Sequence, residues 1–262
     1  MDSNEFLERL EKLWRPAVRL IKSGRAGTRS KLGGSPSLPP GVEWPSWKGT
    51  PLAFLAQIDL SELPRPIPMD DWPSDGILYF FYHPEQETWG FDPDDRGSWR
   101  VLYSPSQASP PPRALGLDPA FPEHFLRLEP IRSLPATERL DLPSEEISDE
   151  AFDCAEELKK APFDGEPQHQ MGGYPNPVQS DSMELESQLA SNGVYCGGPG
   201  QDDPRVADLE SGAGEWKLLL QIDTDEVADM MWGDSGMIYF WIRASDLKNK
   251  DFSNVWMILQ CG

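Results

Sequence analysis

The 262-residue chain is poor in cysteine, histidine and positive charge, and each shortage removes a class of protein. Its three cysteines, Cys154, Cys196 and Cys261, are an odd set without CxxC spacing, so no disulfide framework is spelled out. Such usage fits a reducing, cytoplasmic setting. The three histidines, His83, His124 and His169, have no metal-type pairing with those cysteines, and no metal or cofactor is expected. Apolar runs end at stretches such as Gly76 to Tyr82, far below the roughly 18 residues of a membrane span. The opening MDSNEFLERLEKLW carries acids where an export signal carries bases, and it lacks an apolar centre. Lysine and arginine number 23 against 44 acids, for a net charge of −21. That balance repels phosphate backbones and anionic lipid, so nucleic acid and membrane surfaces are poor partners and a basic protein is a favoured one. The sequence leaves the oligomeric state open.

What is abundant is turn-forming and aromatic. With 27 prolines and 22 glycines, many turns and long Pro-rich loops are expected, and ten tryptophans add large apolar area. Charge is also uneven: residues 1–31 hold eight bases and four acids, whereas the connecting region 140–216 holds three bases and eighteen acids. Acids keep a protein soluble before they do anything else, but a run of this density also suits an acidic docking face.

Along the chain, Phe6, Leu7, Leu10, Leu13, Trp14, Val18 and Ile21 recur at helical spacing and predict an amphipathic helix over 3–24. Pro16 should kink it or begin a second short helix at its own first turn, leaving Arg15, Arg19, Lys22 and Arg25 near the polar side. PLAFLAQIDLSEL and GILYFFY read as buried strands. Residues 105–150 are Pro-rich and weakly patterned, 144–161 suggest a short acidic helix, and 180–214 read as a long surface insertion. An internal repeat organises the rest. LAFLAQIDLSEL followed by GILYFF is echoed by KLLLQIDTDEV followed by GMIYFW, and Gly33-Gly34 by Gly172-Gly173 upstream. The expected fold is α+β: one domain over 1–262, with β-rich pseudo-repeats at 32–104 and 168–262 packed together.

At these residues the chain resembles the YwqG-like family, a mainly bacterial domain family of unknown function. The resemblance rests on LGGSPSLPPGVEWP, PLAFLAQIDLSELP, WGFDPDD, HQMGGYPNPVQ and the C-terminal run from WKLLLQIDTDEV to WMILQC. It implies an α+β fold and a soluble bacterial protein, and it supplies no catalytic residue. A loose association of such proteins with toxin and immunity gene neighbourhoods points toward an immunity-like role.

Gln57, Asp59, Gln221 and Asp223 form the strongest candidate site, because residues two apart on a strand share a face and a duplicated fold brings two such pairs toward one axis. Two close carboxylates split their pKa values and can serve as acid and base. The plainer reading is that each Asp caps a turn and each Gln satisfies backbone groups. His83 and His169 are candidate bases, and Cys196 a weaker candidate nucleophile. Trp89, from the Pro- and Asp-rich loops, and Trp232 complete the binding set, although Trp216, Trp232, Trp241 and Trp256 also read as core. Residues 92–97 imitate the start of a calcium loop but place Arg96 and Tyr103 where ligands belong, so a turn is expected. Two functions follow: a non-enzymatic, possibly immunity-like binder of a basic protein, or a small-molecule or carbohydrate site, perhaps hydrolytic, at the junction of the repeats.

Overall fold

In the run ILYFFY, Leu78, Phe80 and Tyr82 face one side and Ile77, Tyr79 and Phe81 the other, and both sets are buried. A strand of this kind needs cover on both faces, and the rest of the chain is arranged to provide it. The computed structural model describes residues 3–24, 27–65, 72–105, 119–140, 147–198 and 203–262. In order they form α1 (Ser3–Lys12), β1 (Arg15–Lys22), β2 (Lys31–Leu32), a β3 and β4 hairpin (Ser46–Trp47, Thr50–Pro51), β5 (Ala53–Asp59), β6 (Ile77–Tyr82), β7 (Trp99–Ser104), β8 (His124–Ser133), α2 (Asp149–Lys160), β9 (Gln170–Gly172), α3 (Met183–Ser191), α4 (Val206–Leu209), β10 (Trp216–Asp223), β11 (Met237–Arg243), α5 (Ala244–Asn249) and β12 (Trp256–Gln260).

Apart from the β3 and β4 hairpin, these strands make one antiparallel ten-stranded sheet in the order β12-β11-β10-β9-β1-β8-β2-β5-β6-β7. Outward from the central β1 and β8, each side runs through a short strand, a Gln-Ile-Asp strand, an aromatic strand and an outer strand. Register matches as well. Gln57 faces Tyr79 and Asp59 faces Ile77; Gln221 faces Tyr239 and Asp223 faces Met237, with irregularities at the equivalent Leu55 and Leu219.

Twist accumulated over ten strands curls the sheet until its ends nearly meet. Trp99 of β7 stands edge-on to Trp256 of β12, with ring centroids 4.9 Å apart, and their indole N–H groups donate to the carbonyls of Val255 and Gly90. The Leu259 amide donates to the Trp89 carbonyl at 3.0 Å, covering the outer edge of β12. Gly90 is required for that approach: its φ is +83°, and a Cβ would lie 1.8 Å from the Met257 carbonyl oxygen. Inside the curl, Phe80 and Phe240, equivalent residues of β6 and β11, touch at 5.2 Å. Outside it, Leu38, Val42, Trp44 and Leu52 cover one half, α3 packs on β10 and β12 of the other, and Phe6 and Leu10 of α1 pack on Ala151 and Ala155 of α2.

Three expectations change. The helix expected over 3–24 ends at Lys12, and 15–22 is the strand β1. Proline at position 16 is unfavourable inside a helix, and β1 is paired on both sides, by β8 along its whole length and by β9 at Ala17 to Arg19. The weakly patterned 105–150 contains β8, along which only Leu126 and Ser133 are buried, so no alternation announces it. The supposed surface insertion 180–214 contains α3, with Met183, Ser187, Gln188, Leu189 and Ala190 buried. The acidic helix forms as α2, capped by the Ser148 side chain. Residues 106–118 and 141–146 of the Pro-rich stretch lie outside the described residues. No helix among the described residues is long and apolar enough to cross a membrane.

Candidate functional site

The paired glutamines are consumed by the fold. Gln57 accepts the Ser37 amide at 2.8 Å and donates to the Arg29 carbonyl at 2.8 Å; Gln221 accepts the Asn176 amide at 2.9 Å and donates to the Gln168 carbonyl at 2.7 Å. Beside them the Tyr79 and Tyr239 hydroxyls donate to the carbonyls of Ser37 and Asn176. Each glutamine thus staples the Gly-Gly loop of its own half to its strand, and all four loop glycines have φ between 59° and 72°. Both Gly-Gly pairs form turns, and the oxygen and nitrogen of each glutamine amide are occupied by backbone groups.

The aspartates diverge. Asp59 is fully buried, accepts the amide and hydroxyl of Ser61 and pairs with Arg29. Asp223 is partly exposed; its Oδ2 accepts the Gln168 amide at 2.8 Å. Burial pushes the Asp223 carboxyl up, against the pull of the Gln168 amide and of His169. Between these aspartates lie five strand-to-strand steps, about 24 Å along the sheet at roughly 4.8 Å a step. Both sit on the outer face, since the intervening Ile58 and Ile222 point into the core. On the outer face of a curled sheet, with four strands between theirs, the two carboxylates do not face a common space as two-carboxylate hydrolysis requires.

His169 is central to the second half. Its Nδ1 accepts the Asp223 amide and its Nε2 faces Asp225 Oδ2, each at 3.1 Å. This pattern assigns the ring proton to Nε2, directed at Asp225, and leaves no lone pair for a substrate proton. His169 is therefore a positioning residue. Asp225, fully buried, also pairs with Lys22 of β1, and its Oδ1 accepts the amides of Val227 and Ala228. Burial works to raise its carboxyl, but His169 and Lys22 overcome it and hold the group well below the usual carboxylate range. Sequence reasoning missed both Asp225 and Lys22: they are 203 residues apart, and Lys22 belonged to an expected helix.

Two hollows open beside this cluster. One, about 350 Å³, is lined by Lys160, Phe163, Gln168, Asp223 and Thr224; the other, about 450 Å³, by Arg19, Ile21, Asp164, His169 and Val227. Glu166 and Pro167 line both. Among the described residues no group of three or more His, Cys, Asp or Glu is arranged to hold a metal ion.

The remaining candidates fall elsewhere. His83 follows β6, buried edge-on against Trp47 with Nδ1 unpartnered, and is not among the side-chain partners of His169, which are Asp223 and Asp225. Trp232 is fully buried against Phe121 and Tyr82 and donates to the Asp223 carbonyl, which makes it core; Trp89 is partly exposed on the loop that seals β12. The Cys196 thiol is pushed up to about 12 by burial, aided by Glu186 and Asp92, so it stays protonated and is no nucleophile at neutral pH. In 92–97, Asp92 caps its own turn and Asp95 accepts the Gly90 amide, as a turn requires.

The family model described as Domain of unknown function (DUF1963) matches residues 30–261, spanning β2 to β12, and the chain belongs to that family. No curated protein matches it.

Proposed function

We propose that this member of the DUF1963 family is a YwqG-like binding protein of the cytoplasm, built by duplication, which recognises a basic protein partner in an immunity-like role and carries out no reaction. The carrying observation is the fate of its positive charge. Arg19 donates to the Pro162 carbonyl, Lys22 pairs with Asp225, Arg29 with Asp59 and Lys31 with Glu123. Four of the eight bases in residues 1–31 are thus spent on internal contacts, while Glu150, Asp153, Glu157, Asp164 and Glu166 stay exposed. An uncompensated acidic surface steers basic partners and repels polyanions. The matched register and glutamine bonds of the two halves support duplication.

Capture from native-host lysate on the immobilised protein at low and high salt, read by mass spectrometry, tests this. A basic protein retained at low salt and released at high salt is the expected result. Retention of acidic or neutral proteins only, or a partner indifferent to salt, overturns it.

A further inference from the structure

The loop between β10 and β11 holds apolar side chains out toward water by a rigid device. Its ends are locked: the Asp225 amide donates to the Met230 carbonyl at 2.7 Å, and the Met230 amide returns to the Asp225 carbonyl at 3.0 Å. Alternation then buries Ala228, Met230 and Trp232 and turns Val227, Asp229 and Met231 outward, leaving Val227 67% and Met231 46% exposed. Asp225, fixed by Lys22 and His169, holds the first turn through the Val227 and Ala228 amides. Exposure here is enforced rather than a result of looseness.

Val227 lines the larger hollow together with Ile21 and Pro167. The rim is acidic. Asp164 and Glu166 of its lining are exposed, as are Glu226 and Asp229 on the loop that carries Val227, and Asp223 lies in the adjoining hollow across Glu166 and Pro167. Of the nearby cations, Lys22 is neutralised by Asp225, whereas Arg19 in the larger hollow, bonded to the Pro162 carbonyl, and Lys160 in the smaller one keep their charge, two cations against the carboxylates of Asp164, Glu166, Asp223, Glu226 and Asp229. An apolar wall framed by surplus negative charge fits one chemistry, a segment with an aliphatic side chain between cationic ones.

We propose that the two hollows and the 225–231 loop form one docking groove for an extended basic segment of a protein partner. An aliphatic side chain of the segment seats against Val227, Pro167 and Ile21, and flanking lysine or arginine side chains pair with Asp164, Glu166 and Asp223. This names the site of the binding function proposed above and rests on that reading.

The test is a ¹⁵N-edited NMR titration of the full chain with the peptide acetyl-Arg-Leu-Arg-Leu-Arg-amide, and with its Glu-Leu-Glu-Leu-Glu counterpart. The arginine peptide should shift amides at 19–22, 164–168 and 226–229. Glu166→Lys and Val227→Asp should each weaken it about tenfold or more, whereas Glu85→Lys and Asp208→Lys, equal charge changes at exposed sites elsewhere, should alter it less than about twofold. The variants' own spectra report that the fold is kept. If the arginine peptide binds but Asp208→Lys weakens it as much as Glu166→Lys, or Val227→Asp has no effect, the groove is overturned while the basic-partner reading stands. If the glutamate peptide binds equally, or neither peptide binds at low salt, the groove falls, and a lysate capture without a basic protein then removes the wider reading as well.

Discussion

The two halves of the sheet use the same Gln-Ile-Asp strand and treat its aspartate in opposite ways. In the first half, Ser30 accepts the Asp59 amide, and the carboxylate is closed off by Arg29 and Ser61. In the second, His169 stands where Ser30 does and accepts the Asp223 amide, but its far nitrogen reaches on to Asp225 and, through it, to Lys22. Everything the halves share, the glutamine staples, tyrosine hydroxyl bonds and Gly-Gly turns, serves folding. Around the aspartate the halves differ at three positions, Arg29 against Gln168, Ser30 against His169 and Ser61 against the buried Asp225, and the second set holds up the loop carrying Val227. Where two halves of a sheet share strand order and register, the places where they differ are where function is to be sought.

The shared part breaks most severely at its centre. Phe80→Ala and Phe240→Ala should each cost about 3–5 kcal/mol in urea unfolding, because either truncation leaves a cavity against the other ring. Their costs should agree within about 1 kcal/mol, and the double variant should cost less than the sum, since the two rings are in contact. Costs differing severalfold would show that the halves do not share the core equally.

The unshared part comes next. Asp225→Asn keeps an acceptor for the Val227 and Ala228 amides but strands Lys22, whose side chain is only 15% exposed, and should cost about 3 kcal/mol. Asp59→Asn should cost less, about 1–2 kcal/mol, because its partner Arg29 keeps 28% side-chain exposure and has access to water. A larger loss at Asp59 would reverse the ranking. His169→Ser, which rewrites one of the three differing positions as in the first half, retains an acceptor for the Asp223 amide, loses the bond to Asp225 and should cost about 2 kcal/mol. Its distinguishing readout is faster hydrogen exchange at the Val227 and Ala228 amides, with no change at Ser61.

The sequence made the shared part legible because each half spells it with the same letters: Gln57 and Gln221, Tyr79 and Tyr239, make the same bonds in the same register. The seam was not legible. β1 and β8 lie where the halves join, carry proline at Pro16 and Pro130, and bury so little of β8 that no period-two signal survives. Val18 and Ile21 fit a helical period as well as a strand, and pairing on both edges decided between them. The Lys22, His169 and Asp225 cluster is tertiary from the start, joining three segments with no local pattern.

The smallest effect is the sharpest discriminator between the aspartates. The Asp223 carboxyl is raised by burial, so the folded chain binds its proton more tightly than the unfolded chain, whose value is about 3.9. Stability from this group is full below about 3.9 and falls as pH rises through the raised folded value. Asp225 is the reverse: its folded carboxyl is depressed, so its stabilisation is full above about 3.9 and is lost as pH falls through the lowered value. Asp223→Asn should therefore match the parent protein in acid and exceed it near neutrality by about 1 kcal/mol or less, the Asn oxygen still accepting the Gln168 amide. Asp59→Asn and Asp225→Asn should both lie below the parent at neutral pH. Urea midpoints from pH 3 to 7 for the three variants decide the matter, and a stability loss for Asp223→Asn at pH 7 would mean that its carboxylate is as fully partnered as that of Asp59, leaving the second half no more open than the first.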